Sequence, residues 1–298
     1  MSHAIIIPIY CENRNTINLC NELQNFGAEH IVVVNDGLNP ESEYFNELTS
    51  IGCHLVHLKN NNGKGASLKA GIKYAHDNLY NITGYITCDA DGQHTANDVM
   101  KISRMLDLRN GSLILGKRDY KKSKMPINIR IGNRLSSAYF KVITGKSCKD
   151  TQTGLRGIPA FLYDTVMKTK GSRFDFEMNF LTKCADMRVP FYFVNIIADC
   201  SNCSSNFRLI KDTYLIYRTP LRFATASIGC TIIDLVLFTI FAYILPSHMF
   251  FNIMLATLMA RVVSGGINFL INRKVIFGNT DNGTKQALRF FILFFCIM

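Results

Sequence analysis

The sequence has no cysteine pattern that would hold a structural zinc ion or a disulfide framework. Its ten cysteines are scattered, and Cys200 and Cys203 form the only Cys-x-x-Cys pair. A second such pair, which would complete a zinc tetrahedron, is missing. We therefore expect mostly reduced cysteines that act as small apolar residues in a cytosolic environment.

The N-terminus lacks a basic region followed by a long apolar run, so we expect no cleavable secretory signal. The apolar run at residues 4–9 is too short for such a signal and is typical of a buried strand.

Acidic residues are also scarce. The 298 residues include 22 Asp and Glu against 33 Lys and Arg, for a formal net charge of +11. A surplus of this sign indicates an anionic partner: nucleic acid, a phosphate-bearing substrate or an anionic membrane face.

Short apolar runs alternate with helical stretches up to about residue 200. The runs are 4–9, 31–34, 53–58, 84–86, 112–115 and 191–197. This alternation predicts an α/β domain with a mainly parallel sheet. We expect a polar turn over 150–156 and a helix that begins at Pro159. Ligands of such sheets bind beyond the carboxyl ends of the strands, where polar residues follow the runs: Glu12, Asp36, Lys64, Asp89, Asp91 and Arg118.

Asp89 and Asp91 directly follow one of these runs. On an extended chain, residues two apart point to the same side. Two carboxylates on one side, with Gly92 to turn the chain, are suited to Mg²⁺ or Mn²⁺ held jointly with substrate phosphates, and Gln93 can add a carbonyl oxygen. The alternative interpretation is a solvated Asp-Gly turn after a strand.

The segment Gly63-Lys64-Gly65 resembles a phosphate-binding loop, but it lacks the full Walker spacing and the Ser or Thr after the lysine. A glycine turn with a solvated lysine explains it equally well.

Residues 117–149 contain ten basic residues and one acid, Asp119. Apolar residues recur among the charges at helical spacing: Ile127, Ile131, Leu135, Ala138 and Val142. This pattern predicts a basic amphipathic helix suited to an anionic membrane surface. Arg118 and Arg134 are candidates to clamp a phosphate, since a guanidinium grips it bidentately. A solvated surface or a nucleic-acid patch is the alternative, although no recognised nucleic-acid module is present.

The last quarter of the chain is strongly apolar. We predict an interfacial amphipathic helix over 206–222 and membrane spans over 223–245 and 250–272. A third apolar run, 290–298, is shorter than a span. The basic residues flanking the spans place the α/β domain on the cytoplasmic side.

Each predicted span contains one charged residue near its middle, Asp234 in the first and Arg261 in the second. An isolated charge is costly in a bilayer, so we predict that the two pair, or that each faces the interior of a helix bundle. A polar contact that only fixes helix packing is the alternative.

Taken together, these motifs resemble the family 2 glycosyltransferases, specifically the polyprenyl-phosphate (dolichyl-phosphate-type) sugar transferases with a GT-A fold. The matching segments are Ile7–Asn13, Val34–Gly37, Asn62–Ala66, Asp89–Gln93, Gly116–Arg118, Gly132–Arg134, Asp150–Gly154 with Arg156, and Phe176-Glu177. The spans, with Asp234, Ala260-Arg261 and Asn268–Phe277, resemble a GtrA-type membrane domain, which usually has four spans. The implied division is a GT-A domain at 1–205, the interfacial helix at 206–222 and the membrane domain at 223–298.

The resemblance implies roles for individual residues. Pro8, Tyr10, Glu12, Asn35 and Asp36 would line the nucleotide pocket, with Asn35 standing where the family usually has aspartate. Lys64 would lie near the nucleotide-sugar and Glu177 on the sugar or acceptor side. Asp89, Asp91 and Gln93 would hold Mg²⁺ or Mn²⁺, with Asp91 also catalytic. Arg118 and Arg134 would bind the lipid phosphate and balance charge at the reacting centre.

The implied reaction moves a sugar from a UDP- or GDP-linked donor to polyprenyl phosphate with inversion at the anomeric carbon. The implied enzyme is an integral protein of the plasma (inner) membrane with a cytoplasmic catalytic domain. Its partners would be the donor, the lipid acceptor and membrane lipid, and relatives with such anchors often form homo-oligomers. We expect no nucleic-acid partner. The alternative function is a translocation or scaffold subunit for lipid-linked sugars, whose transferase domain only binds.

Overall fold

The computed structural model of the protein describes residues 2–109, 111–118, 127–173, 175–197, 209–245 and 250–271, with the backbone alone described at 127–128, 209–224 and 250. The chain forms two compact units, Met1–Asp212 and Thr213–Met298. Among the predicted features, the Cys200–Cys203 pair, the loop 246–249 and the run 290–298 lie outside the described residues.

The first unit is built on a seven-stranded sheet in the order β3-β2-β1-β4-β6-β5-β7. The strands are β1 (Ser2–Ile9), β2 (His30–Asp36), β3 (His54–Leu58), β4 (Ile82–Thr87), β5 (Leu113–Arg118), β6 (Arg156–Pro159) and β7 (Phe191–Ile196). Neighbouring strands are parallel except where β6 runs antiparallel to both β4 and β5. The predicted α/β fold with a mainly parallel sheet is confirmed.

Helices cover both faces of this sheet. They are α1 (Arg14–Asn25), α2 (Glu43–Ser50), α3 (Lys64–Asn78), α4 (Ala96–Leu108), α5 (Ile127–Thr144), α6 (Tyr163–Lys168) and α7 (Asp175–Asp186), with a short 3₁₀ helix at Ala160–Leu162. Side chains alternate between two core layers along β1: Ile5 and Ile7 pack on one face, Ala4 and Ile6 on the other. Burial on both faces explains why the strands read as continuous apolar runs.

The segment Arg156–Pro159 corrects one prediction. We expected a turn over 150–156 and a helix from Pro159, but these four residues form the buried strand β6. The Cα atoms of Pro159 and Gly84 are register partners in the β4–β6 pair, and the helix begins one residue later. An arginine, a glycine and a proline in four residues show neither an apolar run nor an alternation, so periodicity misses the strand.

The second unit contains two long helices, α8 (Leu209–Ile244, which begins in the first unit) and α9 (Phe250–Ile271). Their segments Thr225–Ile244 and Phe251–Ile271 are long and apolar enough to cross a membrane. Of the predicted interfacial helix at 206–222, the described residues 209–222 form the first part of α8, which continues without a break into the first predicted span. Its predicted basic and apolar faces lie outside the described side chains.

The predicted pairing of Asp234 with Arg261 is corrected by the contacts of Asp234. Ser264 Oγ donates a hydrogen bond to Asp234 Oδ1 at 2.7 Å. Arg261 is exposed, and no ion pair joins it to Asp234 within the described residues. A hydroxyl one turn further along α9 thus supplies the polar contact between the helices, which is the packing role left open as the alternative.

Candidate active site

The polar residues that the sequence singles out meet at one edge of the sheet, beyond the carboxyl ends of its parallel strands. Tyr10 follows β1, Asp36 ends β2, Asp89 follows β4 and Arg118 ends β5. The hydrogen bond from Cys88 N to Ile6 O, 3.0 Å, continues the β1–β4 pairing up to Asp89. The parallel topology therefore collects side chains from distant positions at this edge.

Asp89 lies within a chain of buried charges. Lys64 Nζ is 2.6 Å from Asp89 Oδ1 and 3.2 Å from Glu177 Oε1. Arg156 Nη2 approaches the same Glu177 oxygen at 3.7 Å, and His94 Nε2 lies 3.8 Å from Asp89 Oδ2. Lys64, the first residue of α3, thus lies between the carboxylates of Asp89 and Glu177.

Ionisation states follow from this arrangement. Burial disfavours the charged form of Asp89, but the Lys64 ammonium and the nearby His94 ring outweigh it and lower the pKa of the carboxyl. Burial likewise acts against the Lys64 charge, and the Asp89 and Glu177 carboxylates overcome it and raise the pKa of the lysine. Lys64 and Asp89 are therefore both charged at neutral pH.

Asp91 has a different environment from Asp89. Burial, and then the negative charge of Asp89, raise the pKa of Asp91, with partial relief from the backbone N–H of Gln93. The Gln93 N–H donates to Asp91 Oδ1 at 3.1 Å, and its side-chain amide donates to Oδ2. Among the described residues, no basic side chain lies within 4.0 Å of the Asp91 carboxylate.

This donor set fits a hard divalent cation that is shared with a substrate. Two neighbouring carboxylates, one of which has no cationic partner in the described part of the chain, leave a negative charge that a cation would offset. Within the described chain, no three His, Cys, Asp or Glu side chains are grouped to hold a metal by themselves. The remaining ligands would therefore come from substrate phosphates and water, as is usual for Mg²⁺.

Asp36 supports the glycine loop. Its carboxylate oxygens accept hydrogen bonds from Asn62 N at 2.8 Å and Gly63 N at 2.9 Å. Gly63 has a positive φ of 93°, and a Cβ there would lie 2.6 Å from the Arg173 side chain. The loop therefore needs glycine at this point, and Asp36 fixes the direction from which Lys64 enters the site.

The other predicted nucleotide-pocket residues fall into two groups. Tyr10 and Glu12 are exposed in the loop between β1 and α1, where a ligand can reach them. Pro8 and Asn35 are buried within β1 and β2. The Asn35 amide closes its own turn, donating to Leu38 O at 2.9 Å and accepting from Leu38 N at 2.7 Å. Asn35 thus shapes the turn after β2, which differs from the predicted contact with a nucleotide.

Arg118 is held by a carboxylate. Its Nε and Nη2 donate to the two oxygens of Asp150 at 2.7 and 2.8 Å, and both side chains are buried. The guanidinium fork that we expected to grip a phosphate is thus engaged inside the protein. The pair joins the end of β5 to the loop that precedes β6.

Arg134 is exposed on α5, where a phosphate can approach it. The preceding residue, Asn133, is buried, and its Oδ1 accepts hydrogen bonds from Thr151 N at 3.2 Å and Thr151 Oγ1 at 3.3 Å. The same loop thus holds both arginines: Asp150 holds Arg118, and Thr151 holds the turn of α5 that carries Arg134.

Sequence reasoning missed three residues of the site. Arg156, 2% exposed, donates to the carbonyl oxygens of Thr153, Glu177 and Thr151 and so ties the loop to α7. Asp150 is the partner of Arg118, and His94 packs beside Asp89. Asp150 and Arg156 belong to a segment that we recognised as a motif, but nothing in the spacing named their partners.

Comparison with known proteins agrees with this geometry. Residues 4–164 match the family model of glycosyl transferase family 2. The chain belongs to glycosyl transferase family 2. Residues 222–298 match the GtrA/DPMS transmembrane domain, so this family 2 glycosyltransferase also carries a membrane domain of that type.

Three similar proteins from archaea have the following extents of identity. An uncharacterised protein of Methanocaldococcus jannaschii is 32% identical over 188 residues, which cover 59% of this chain and 73% of the relative. The UDP-N-acetylglucosamine–dolichyl-phosphate N-acetylglucosaminyltransferase of Methanococcus voltae is 30% identical over 172 residues, 51% of this chain and 67% of the relative. Glycosyltransferase AglJ of Haloferax volcanii is 26% identical over 188 residues, 61% of this chain and 58% of the relative.

Solved structures show the same fold. The glucosyl-3-phosphoglycerate synthase of Mycobacterium tuberculosis in complex with Mn²⁺, uridine diphosphate and phosphoglyceric acid has a TM-score of 0.55 at 11% identity. The match covers 74% of this chain and 76% of that one. The same enzyme with Mg²⁺ and uridine diphosphate has a TM-score of 0.54 at 12% identity, covering 74% and 77%. The fold is GT-A.

Proposed function

We propose that this glycosyltransferase moves a sugar from a nucleotide-sugar to polyprenyl phosphate at a membrane. The observation that carries the proposal is the Asp89–Asp91 pair at the carboxyl edge of the sheet, with Lys64 on one carboxylate and, among the described residues, no basic partner on the other. A site that attracts a cation and presents an ammonium is suited to a diphosphate leaving group.

The membrane domain and the relatives support the lipid acceptor. A GtrA/DPMS transmembrane domain follows the catalytic domain in the chain, and the Methanococcus voltae relative is by name a dolichyl-phosphate transferase. That relative's donor and the uridine diphosphate in the solved mycobacterial enzyme favour a UDP-linked donor here. The flanking basic residues, including Arg222 and Lys274, favour a cytoplasmic catalytic domain.

Mg²⁺ or Mn²⁺ is the proposed cofactor, held by Asp89, Asp91 and Gln93. The mycobacterial structures contain these two ions, and the charge on Asp91 fits either. When bound, the cation would neutralise charge on the departing diphosphate. Lys64 adds a second positive charge on the other side of Asp89, fixed by its contact with Glu177.

The acceptor needs orientation more than activation. A phosphate monoester is already ionised at neutral pH, so no strong general base is required. Its oxygen attacks the anomeric carbon as the bond from that carbon to the nucleoside diphosphate breaks, which inverts the configuration. We assign the phosphate contact to the exposed Arg134 and its positioning to the loop at Asp150–Thr151, which Arg118 holds from inside.

The test is transfer of labelled sugar from a panel of nucleotide-sugars to undecaprenyl phosphate in membranes that contain the full chain. We expect label in the lipid phase, with inverted anomeric configuration, that requires Mg²⁺ or Mn²⁺ and is lost in Asp91→Ala. Asp164→Ala is a matched control, since Asp164 has a side chain that is 76% exposed, on α6.

Two outcomes would overturn the proposal. Retention of configuration would exclude direct displacement. Absence of lipid label with every donor, in a folded and membrane-bound protein, would favour a translocation or scaffold role for the chain.

A further inference from the structure

The outward face of helix α5 is apolar, which is the reverse of an ordinary surface helix. Ile131 is 53% exposed, Leu135 61% and Val142 84%, and Ala138 between them is also exposed. At about 100° per residue these four positions fall within roughly 60° of one another on the helix. We call Ile131, Leu135, Ala138 and Val142 the outer stripe.

The domain core does not need this stripe. The side chains that α5 turns inward are Asn133, Ser136 and Phe140, with exposures of 2%, 1% and 0%. They lie about half a turn away from the outer stripe. Asn133 is held by Thr151, and Phe140 packs in the core layer, with its ring centroid 6.1 Å from that of Phe191. The helix is therefore already seated, and its outer stripe is left for something outside the domain.

Cations run along one side of the outer stripe. Arg130, Arg134 and Lys141 are all exposed and lie about a quarter turn from it on the same flank. Residues 127–144 contain no Asp or Glu. An apolar stripe with a purely cationic border matches the boundary between the acyl chains and the headgroups of an anionic bilayer.

We propose that the outer stripe of α5 docks the catalytic domain on the surface of an anionic bilayer, as a second membrane contact besides the spans of the C-terminal domain. The GtrA/DPMS domain tethers the chain to a membrane, so the helix meets the bilayer at high effective concentration. A symmetric contact between two copies would instead bring the like-charged flanks together, which disfavours that occupant. The proposal needs the membrane domain but not sugar transfer.

The chain contains no tryptophan, so the fluorescence of a single introduced tryptophan reports on that position alone. We would introduce Val142→Trp, and Ile131→Trp as an independent second reporter, into the full chain and reconstitute it in vesicles containing anionic lipid. A set of vesicles with acyl chains brominated near the headgroup quenches tryptophan that enters the interface. The matched control is Tyr80→Trp, since Tyr80 is 89% exposed in the turn between α3 and β4, at the opposite edge of the sheet.

Brominated lipid should remove about half or more of the emission of the two stripe reporters, since an interfacial helix buries its apolar face by about 5–10 Å. The Tyr80→Trp control should keep its emission. Adding Arg130→Glu and Lys141→Glu to the Val142→Trp chain should restore most of the lost emission, as should vesicles made only of zwitterionic lipid.

Other results would overturn the proposal. Red-shifted, unquenched emission from both stripe reporters would show a face in water. Blue-shifted emission without bromine quenching would show a protein contact, either a second copy or another partner. Quenching that is the same in anionic and zwitterionic vesicles, and is unchanged by the two Glu substitutions, would contradict the proposed attraction between the cationic flank and an anionic bilayer. Since none of these readouts measures transfer, a failed transferase assay would leave them unaffected.

Discussion

The backbone of Gly154 lies directly against the carboxylate of Asp89, 65 positions earlier in the sequence. A Cβ at Gly154 would collide with Asp89 Oδ2, and Thr87 Oγ1 donates to Gly154 O at 2.8 Å. The loop before β6 thus sets the position of the first carboxylate of the site. No side chain fits between them.

The first prediction concerns this contact. Gly154→Ala should push Asp89 out of place and lower sugar transfer about 10²-fold, the usual cost of a displacement near 1 Å at a reacting centre. Initial rates of lipid labelling measure it. Gly132→Ala is the control, since a Cβ there meets nothing closer than 3.9 Å; an equal loss in both variants would contradict the explanation.

Experiments should distinguish the roles of Arg118 and Arg134, the two arginines of the predicted phosphate clamp: Arg118 stabilises the fold and Arg134 binds the acceptor. Asp150→Ala removes a buried carboxylate that accepts two hydrogen bonds from the buried Arg118 guanidinium, which we expect to cost about 3–5 kcal/mol of unfolding free energy. Arg134→Ala removes an exposed side chain, so stability should change by about 0.5 kcal/mol or less while lipid labelling falls. Unfolding of the detergent-solubilised chain and the transfer assay give the two readouts. A large loss of stability in Arg134→Ala would count against this division of roles.

Metal binding should depend on Asp91 and be visible without turnover. In the folded parent, Mn²⁺ at 100 times its dissociation constant should stabilise the protein by about 2.7 kcal/mol. Asp91→Asn should lose this stabilisation. In EDTA the variant should be at least as stable as the parent, because burial and Asp89 raise the pKa of Asp91 and make its charge costly. A Tm of Asp91→Asn that still rises with Mn²⁺ would exclude Asp91 as a ligand, and the Asp164→Asn variant serves as control.

The contact between Ser264 and Asp234 predicts which residue matters for the membrane domain. Ser264→Ala should destabilise it by about 0.6 kcal/mol, the average for hydrogen bonds between membrane helices, for which the largest measured value is about 1.7 kcal/mol. Arg261→Ala should have a smaller effect, since Arg261 is exposed and makes no ion pair with Asp234 among the described residues. Thr257→Ala, which removes an exposed hydroxyl bound to its own helix, is the control. A larger loss of Tm in Arg261→Ala than in Ser264→Ala would support the original prediction that Asp234 pairs with Arg261.

We expect the stability of the protein to depend on pH through His3, which lies in β1 at the end of the sheet opposite the candidate active site. His3 Nδ1 lies 2.8 Å from Ser103 Oγ, and Nε2 lies 3.3 Å from Asp107. Burial lowers the pKa of His3 below its ordinary 6.5, although the Asp107 charge acts the other way. Unfolding therefore takes up a proton between the lowered and the ordinary value, so this part of the stability is present above about pH 6.5 and is lost as the pH falls.

The measurement is the Tm of the parent and of His3→Gln between about pH 7.5 and 5.5. The parent should be the more stable at the upper end, and the difference should shrink towards the lower end. A difference that stays constant or grows as the pH falls would show that His3 is not held neutral by the fold.

The amino-acid sequence by itself determined most of the secondary-structure elements of this protein, with β6 as an exception. Continuous apolar runs predict strands buried on both faces, as β1 and β2 are, because such strands have no solvated side. The Asp89–Asp91 spacing after one run, and two long apolar stretches near the C-terminus, needed no knowledge of distant contacts either. These features depend on periodicity and local chemistry, which the order of residues contains directly.

Only the tertiary structure decided which side chains meet. The sequence predicts a phosphate clamp at Arg118, but in the structure its Nε and Nη2 both donate to Asp150, 32 positions away. Lys64 reads as a solvated lysine or a nucleotide contact until α7 brings Glu177 beside it. Strand β6 owes its existence to the edges of β4 and β5 on either side, and Asp234 finds Ser264 across two helices. Charged side chains accept many partners of opposite charge, so composition alone leaves their pairing open, and the fold selects one partner by bringing it within hydrogen-bond distance and excluding water.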